Sequence, residues 1–398
     1  MASIEKRGDS YRITASCGYK GNGRKVRKKT TWTPEPGMTE RQIERELQRQ
    51  AILFQERCQQ GLVMSGSIKL DALAALWMED YAKTQLAPLT IDRHKALLKR
   101  ILPALGHLRA DKIQPHHLLE FYKQLSEPGQ NQKTGGHLSE ETIMHHHGLI
   151  SSMLGTAVKW GIIPSNPACR VKPPKIPHKN ISSYDETQSV RLLDALQAEP
   201  LKYHIAVVLL LYSGMRRGEL LGLEWQDISW DSGVICIKRV SQYINGTGIF
   251  TKEPKNAGSI RKITLPMNVM DMLKRYRIWQ MEEQSKLGDM WKDTGRLFTR
   301  EDGGYMHPDS LLNWFNKFLK RNKLPHISLH GLRHTSATVL ITSGCDIRTV
   351  SQRLGHKRAS TTLDRYTHAV ESRDKAAADK LEELFSPAPL TAPLLILK

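Results

Sequence analysis

The stretch SLHGLRHTSATVLI, residues 328–341, decides the fold assignment of this chain. Its apolar spacing predicts a helix on which His330 and Arg333, three residues apart, share one face. Taken singly, the histidine is more often a satisfied core residue. Their meaning therefore depends on what accompanies them elsewhere in the chain.

A second stretch follows directly in the sequence. LGHKRASTTLDRYTHAV, residues 354–370, holds His356 and Tyr366, and its second half predicts a short helix. Tyrosine is a known nucleophile of covalent catalysis, although a lone tyrosine most often serves packing.

Two earlier segments add further basic residues. In YSGMRRGELLGLEW, residues 212–225, an apolar helix ends and Arg216 follows in the turn into the next helix. FTKEPKNAGSIRKITLP, residues 250–266, predicts a hairpin that holds Lys255. We interpret Glu219 as a partner for an arginine and not as a catalyst.

The bulk properties indicate a polyanionic partner. The chain has 398 residues, enough for two or three domains, and a net charge of +19. Neutralising phosphates releases counterions and drives association, so we expect nucleic acid; the alternative is a merely basic protein.

Several classes of protein are disfavoured by what the sequence lacks. It has neither a GxxxxGK[ST] motif nor a strand–GxGxxG–helix motif, so no nucleotide cofactor is indicated. The five cysteines form no CxxC pair, and the run at 145–147 cannot aim three imidazoles at one ion, so we expect no metal site. The same cysteine usage indicates a reducing cytoplasm, and we expect neither a membrane span nor a secretory signal.

The N-terminal region predicts a small sheet covered by one helix. SYRITAS and KVRKKTTW read as strands joined by an Asn22-Gly23 turn, and a helix capped by Thr39 follows. Basic residues dominate the sheet, and we expect them to contact DNA, the alternative being a charged edge that prevents aggregation. The candidates are Lys20, Arg24, Lys25, Arg27, Lys28 and Lys29.

Residues 68 to about 170 predict a unit made only of helices, with Thr90 and Ser139 as caps and Pro115 in a first turn. Its candidates for phosphate contact, which a solvated helix face explains equally well, are Arg93, Lys95, Lys99 and Arg100. The Pro- and Lys-rich segment CRVKPPKIPHKNIS predicts an extended linker to the last unit.

In this order the motifs resemble the tyrosine recombinase, or lambda-type integrase, family, in the branch carried by phages and conjugative transposons. The family pattern is Gly-x-Arg-x-x-Glu, a hairpin Lys, His-x-x-Arg, Leu-Gly-His and then Tyr-Thr-His. The matching positions are Arg216, Lys255, His330, Arg333, His356 and Tyr366. Lys252 and Lys262 lie close to the same hairpin and are the alternatives to Lys255.

The resemblance implies a site-specific recombinase that cuts and rejoins DNA through a 3′-phosphotyrosine bond to Tyr366, without a cofactor. Arg216 and Arg333 would grip the phosphate, because a guanidinium offers a planar fork that stays charged. Lys255 would protonate the leaving 5′-oxygen. His330 would bond the phosphate or assist with the tyrosine's proton, and His356 would bond a phosphate oxygen. We expect His334 and His368 to be structural or peripheral.

The expected fold is multidomain α+β. An arm-type DNA-binding domain, a small sheet plus helix, spans 1–64, and an all-α core-DNA-binding domain spans 67–172. A mostly helical catalytic domain with a small antiparallel sheet spans 180–385, and a tail spans 386–398.

The partners that follow are double-stranded DNA with core and arm sites, and three further copies in a tetramer on DNA. An accessory DNA-bending protein and an excision directionality factor are compatible with this layout. The helix ESRDKAAADKLEELF is expected to dock either on a neighbouring subunit or on its own domain. Two alternatives remain, a type IB topoisomerase-like strand transferase and a catalytically silent DNA-binding regulator.

Overall fold

The computed structural model of the chain describes residues 2–19, 24–59, 68–176, 183–252, 260–356, 358–366 and 374–385. The chain divides into two compact units, Met1–His178 and Lys179–Lys398. Across the described residues, no helix combines the length and the apolar character that crossing a bilayer requires.

The first unit opens with a three-stranded antiparallel sheet, in the order β1–β2–β3, and one helix packed on it. The elements are β1 (Ser3–Arg7), β2 (Ser10–Tyr19), β3 (Lys25–Trp32) and α1 (Glu40–Gln59). Ile13 of β2 packs with Leu47 and Phe54 of α1 in a small core of its own. Since side chains alternate along a strand, one face of the sheet meets the helix and the other stays open.

The two predicted strands and the helix after Thr39 are confirmed, and β1 is a strand that was not predicted from the sequence. Helix α1 begins directly after Thr39, whose backbone N–H donates to the side chain of Gln42 at 2.9 Å. On α1, Ala51 is buried with the sheet, whereas its neighbour Ile52 is 60% exposed. The predicted Asn22-Gly23 turn lies outside the described residues.

The rest of the first unit is a bundle of helices with a separate core. The elements are α2 (Leu70–Trp77), a π-helical turn (Met78–Ala82), α3 (Lys83–Gln85), α4 (Pro88–Leu105), α5 (Pro115–Leu125), α6 (Glu140–Lys159), and 3₁₀ turns at Ala110–Lys112 and Pro167–Arg170. Trp77 is fully buried, and its indole N–H donates to Thr156 of α6 at 3.1 Å. This bond satisfies the one polar atom of the largest side chain in the core.

Two of the three predicted helix starts are confirmed. The hydroxyl of Ser139 accepts from the backbone N–H of Thr142, and Pro115 is the first residue of α5. The prediction that Thr90 caps α4 is wrong, because the helix already begins at Pro88. Proline suits a first helical position, since its ring fixes φ and its missing N–H would have had no partner.

The second unit is mostly helical with two small antiparallel sheets, so the predicted fold class is confirmed. The sheets run β4–β5–β8 and β6–β7. The strands are β4 (Ile228–Ser229), β5 (Val234–Ile237), β6 (Val240–Ile244), β7 (Gly248–Lys252) and β8 (Arg261–Thr264).

The helices of this unit include α8, which is buried on nearly all sides and contacts α9, α10 and α12. They are α7 (Glu186–Leu196), α8 (Leu201–Ser213), α9 (Arg217–Leu220), α10 (Met267–Leu287), α11 (Pro308–Arg321), α12 (Leu329–Thr342), α13 (Ile347–Leu354), α14 (Ala359–Arg365) and α15 (Asp374–Phe385), with 3₁₀ turns at Trp225–Asp227 and Gly288–Met290. The tail, 386–398, lies outside the described residues.

Candidate active site

Helix α12 carries the centre of the candidate site. Ser328 caps it, its hydroxyl accepting from the backbone N–H of Gly331 at 2.9 Å. His330 in the first turn is exposed, whereas Arg333, one turn further along, is only 1% exposed. The two side chains therefore differ in depth: the imidazole of His330 lies at the surface and the guanidinium of Arg333 is buried.

Arg333 is held by the end of α8. Its Nη1 donates to the carbonyl of Gly214 at 2.7 Å. Gly214 ends α8 with φ of 63°, and a Cβ there would lie 2.7 Å from Leu354, so only glycine fits. The glycine thus brings a carbonyl to Arg333 and turns the chain toward Arg216.

The second terminal nitrogen of the Arg333 guanidinium, Nη2, is available to a ligand. Among the described residues, its Nη2 is buried with no hydrogen-bond partner. Burial, followed by repulsion from Arg216, lowers the pKa of Arg333 to about 9, so the group remains charged at neutral pH. A buried cationic donor without a partner is costly, and an anion entering here would relieve that cost.

Arg216 is oriented by Glu219. The two lie at the start of α9, where Arg216 Nη1 donates to Oε1 of Glu219 and the Arg216 backbone N–H donates to Oε2, both at 2.9 Å. Glu219 also accepts from Nη2 of Arg261 at 2.8 Å. The prediction that Glu219 pairs with an arginine is confirmed. Burial acts to raise the pKa of Glu219, but the bonds from the two arginines hold it below its ordinary value, so the carboxylate is ionised.

Arg261 of β8 links this pair to the segment that holds His356. Its Nε donates to the carbonyl of Arg353 at 2.8 Å, at the end of α13. Gly355 follows with φ of 68°, and a Cβ there would meet Arg261 at 2.9 Å. His356 comes next, and its Nδ1 is hydrogen-bonded to Thr362 Oγ1 at 2.8 Å. Three separate segments are thus joined by one buried arginine.

Tyr366 directly follows α14 and points inward. It is 5% exposed and packs with Ala337, Ile341 and Val350. Its hydroxyl is hydrogen-bonded to Nδ1 of His334 at 2.7 Å.

His334 was interpreted as structural or peripheral from the sequence, and this interpretation missed its contact with the tyrosine hydroxyl. It is 7% exposed, and its ring lies edge-on to that of His330, with centroids 4.7 Å apart. A signal was available, because residues four apart on a helix share a face as surely as residues three apart.

Lys255 lies outside the described residues. Of the two other lysines near that hairpin, Lys262 is exposed and follows Arg261 on β8, so it points to the opposite side of the strand from the site. Lys252 ends β7 and pairs with Val240, whose side chain lies against α9. Lys252 and Lys255 therefore stay as the candidates for the general acid.

The basic residues predicted for the N-terminal sheet separate into two faces. Lys25, Arg27 and Lys29 alternate along β3 and are exposed. Lys28 lies on the opposite side, is 8% exposed, and has its pKa lowered by burial, so it does not fit the predicted phosphate contact. Arg24 is exposed, and Lys20 lies outside the described residues.

The candidates on α4 also divide. Arg93, Lys95 and Lys99 are exposed. Arg100 is half-buried, and its Nη2 donates to the carbonyl of Gln130 at 2.9 Å, so it holds a loop in place.

Two family models match the chain. The phage integrase family covers residues 183–373, and the phage integrase N-terminal SAM-like domain covers residues 69–126. The chain belongs to the phage integrase family. It is a tyrosine recombinase, an enzyme that cuts and rejoins DNA strands, as the resemblance implied. Within the described part of this recombinase, no group of three or more His, Cys, Asp or Glu is arranged to hold a metal ion.

Known proteins similar to this recombinase support the assignment. A tyrosine recombinase XerC-like protein of Caldanaerobacter subterraneus subsp. tengcongensis is 27% identical, across 94% of this chain and 96% of that protein. The ICEBs1 integrase of Bacillus subtilis is 27% identical, across 69% of this chain and 72% of that protein. The Tn1549 transposon integrase, solved in complex with a circular intermediate DNA, has the same fold, with a TM-score of 0.66 and 22% identity across 79% of this chain and 100% of that one.

Proposed function

We propose that the chain integrates and excises a mobile element by cutting one strand of a duplex at a time with Tyr366. The phenolic oxygen forms a bond to phosphorus while the bond from phosphorus to the 5′-oxygen breaks, leaving a 3′-phosphotyrosine. The 5′-hydroxyl of another strand then reverses the step. Each exchange conserves the energy of the phosphodiester, so no high-energy cofactor enters the balance.

The observation that carries this proposal is the unsatisfied Nη2 of Arg333, in a site where Arg216 adds a second guanidinium. A phosphate supplies the acceptor that this donor lacks. Two fixed guanidiniums aimed at one phosphate would stabilise the charge that develops on its non-bridging oxygens, and removing one such donor costs about 10²–10³ in rate.

Lys255, which falls between β7 and β8 in the sequence, would deliver the proton to the leaving 5′-oxygen. Comparing Lys255→Ala with Lys252→Ala on a substrate with a bridging 5′-phosphorothiolate identifies the acid. Sulfur leaves without protonation, so the catalytic lysine's variant regains activity on this substrate and the other variant's rate is unaffected by it.

DNA binding would use the open face of the N-terminal sheet and the exposed basic residues of α4. On the sheet, Arg12 pairs with Thr31 and therefore lies on the same face as Arg27 and Lys29. We infer that this face contacts flanking arm sequences while the rest of the chain contacts the core sites. Deleting residues 1–64 is expected to abolish arm binding alone.

A complete exchange cuts two strands in each of two duplexes, and each cut consumes one tyrosine. We therefore infer that four copies assemble on DNA, in the cytoplasm of a bacterial host. Helix α15 presents Leu381, Leu384 and Phe385 to solvent, at 54%, 66% and 75% exposure. A neighbouring copy in that assembly would cover this apolar surface.

The decisive experiment uses a nicked suicide duplex. Its sequence is that of the recombination junction, determined by sequencing DNA from cells that carry the mobile element. Wild type is expected to form a covalent protein–DNA adduct, and Tyr366→Phe is expected to bind the duplex without forming it. An adduct with Tyr366→Phe would refute the assignment of the nucleophile. Exchange between two duplexes, and not only relaxation of supercoils, separates a recombinase from a topoisomerase.

A further inference from the structure

We infer that His334 is a catalytic residue that accepts the proton of Tyr366 as the phenol attacks the phosphate. This inference rests on the proposed nucleophile and adds to the reaction a group that the sequence motifs leave without a role.

The geometry is that of a nucleophile and its base. Nδ1 of His334 lies 2.7 Å from the Tyr366 hydroxyl, within the range over which a proton passes directly between heavy atoms. Both side chains are nearly buried, at 7% and 5% exposure. Tyr366 belongs to an apolar cluster with Ala337 and Val350, and its ring lies 5.6 Å from that of His334, centroid to centroid.

The surroundings explain why such a group is needed. A free tyrosine has a pKa near 10, so little phenolate exists at neutral pH. Forming a phenolate in an apolar pocket is costly unless the proton leaves as the new bond forms. A neutral imidazole at hydrogen-bond distance permits this transfer, whereas the arginines of the site carry no acceptor.

Two roles were expected of His330, bonding the phosphate and assisting with the tyrosine's proton. With His334 present, each role falls to a different histidine. His330 is exposed in the first turn of α12, and His334, one turn further along, is hydrogen-bonded to the phenol. The edge-on contact between the two rings holds the orientation of the deeper one. His330 is therefore left to bond the phosphate.

The proton balance closes within the site. The O–H bond of Tyr366 breaks and an N–H bond forms on His334, while Lys255 gives its proton to the 5′-oxygen. The reverse step returns both protons. The imidazolium formed beside Arg333 is balanced by the negative charge that the phosphate brings.

The test measures the single-turnover rate of adduct formation by the full chain on the nicked duplex. His334→Gln is expected to slow the rate about 100-fold or more, in line with the loss of a general base. His334→Asn places an amide near the position of Nδ1 and keeps the hydrogen bond without a basic nitrogen, so it is expected to be equally slow. A variant of ordinary rate, or one that cleaves faster, would overturn the inference.

A second measurement separates proton transfer from a structural role. Replacing Tyr366 with 3,5-difluorotyrosine gives a phenol that ionises more readily and needs a base less. It is expected to raise the rate of His334→Gln at least tenfold, and to leave the deficit of the matched control Arg333→Lys in place. A His334→Gln deficit that fluorination does not reduce would show that His334 only supports the fold. If His334→Gln does not fold, the same comparison with His334→Asn decides.

The outcome for Tyr366→Phe keeps the two proposals apart. An adduct in that variant means that the proposed nucleophile is wrong. Its absence, together with an unimpaired His334→Gln, means that only the present inference fails.

Discussion

Glu219→Gln tests the electrostatic framework of the site. Glu219 is 3% exposed and accepts bonds from the backbone and guanidinium of Arg216 and from Arg261. Glutamine has nearly the same shape but turns one acceptor oxygen into a donor, which then faces an arginine. The carboxylate's charge is lost while the buried charge of Arg261 remains.

The magnitude follows from these contacts. One bond between charged groups contributes about 1.5–3 kcal/mol, and breaking a buried pair on one side costs about 3–5 kcal/mol. We expect the free energy of unfolding to fall by about 3 kcal/mol, within this range because glutamine keeps one acceptor. For a unit of this size that lowers the melting temperature by about 6–12 °C. The rate of adduct formation is also expected to fall at least tenfold, because Glu219 orients Arg216.

The matched control is Asp271→Asn, which removes an exposed carboxylate paired with Lys274 at 3.1 Å. Exposed pairs contribute about 0–1 kcal/mol, so this variant should melt close to wild type. The folded-state pKa of Glu219 lies below its ordinary value, so its stabilisation is complete at neutral pH and is lost as the pH falls through the folded-state pKa. The gap between wild type and Glu219→Gln should therefore narrow in acid. Coincident melting curves at pH 7 would refute the reasoning.

Other perturbations have separate outcomes. Arg333→Lys lacks the planar fork that bonds the Gly214 carbonyl and a phosphate together, so adduct formation should fall about 10²–10³-fold. A chelator should leave the wild-type rate unchanged. A rate that falls with the chelator would count against the two arginines as the source of positive charge. Lys28→Met should leave arm-site affinity intact in a mobility-shift titration, whereas Lys29→Met should weaken it and flatten its salt dependence; equal losses would mean that the sheet binds by another face. Ser139→Ala should destabilise the helical bundle by about 1 kcal/mol in urea titration, and an unchanged midpoint would remove the cap from the account.

The sequence predicted relations between residues that are close along the chain. His330 and Arg333 lie on one helix at the expected spacing, and Glu219 pairs with Arg216 within one turn. These relations are fixed by helix geometry and need no knowledge of the tertiary fold. The caps at Thr39 and Ser139 were local for the same reason.

Relations that depend on distant segments were missed. The contact between His334 and Tyr366 spans 32 residues and exists because α14 ends beside α12. The link from Arg261 to Glu219 and Arg353 likewise joins three segments. Spacing along a helix gives the direction of a side chain but not the chain that will meet it.

The burial of Lys28 was not predicted, for a different reason. Lys28 lies two positions from Thr30 on β3, on the side that Trp32 also faces, and that side turns toward α1. The alternation of side chains along the strand is visible in the sequence. The basic residues were nevertheless treated as one set, because they share a charge. The period of the strand was the better guide.

Tyr366 and Arg333 belong to the second unit of one polypeptide, where the Tyr366 hydroxyl is hydrogen-bonded to His334, the residue that follows Arg333. Complementation in mixed assemblies is therefore expected to fail: subunits carrying Tyr366→Phe combined with subunits carrying Arg333→Ala have no complete set between them. Each subunit would cut only at the phosphate that its own arginines hold.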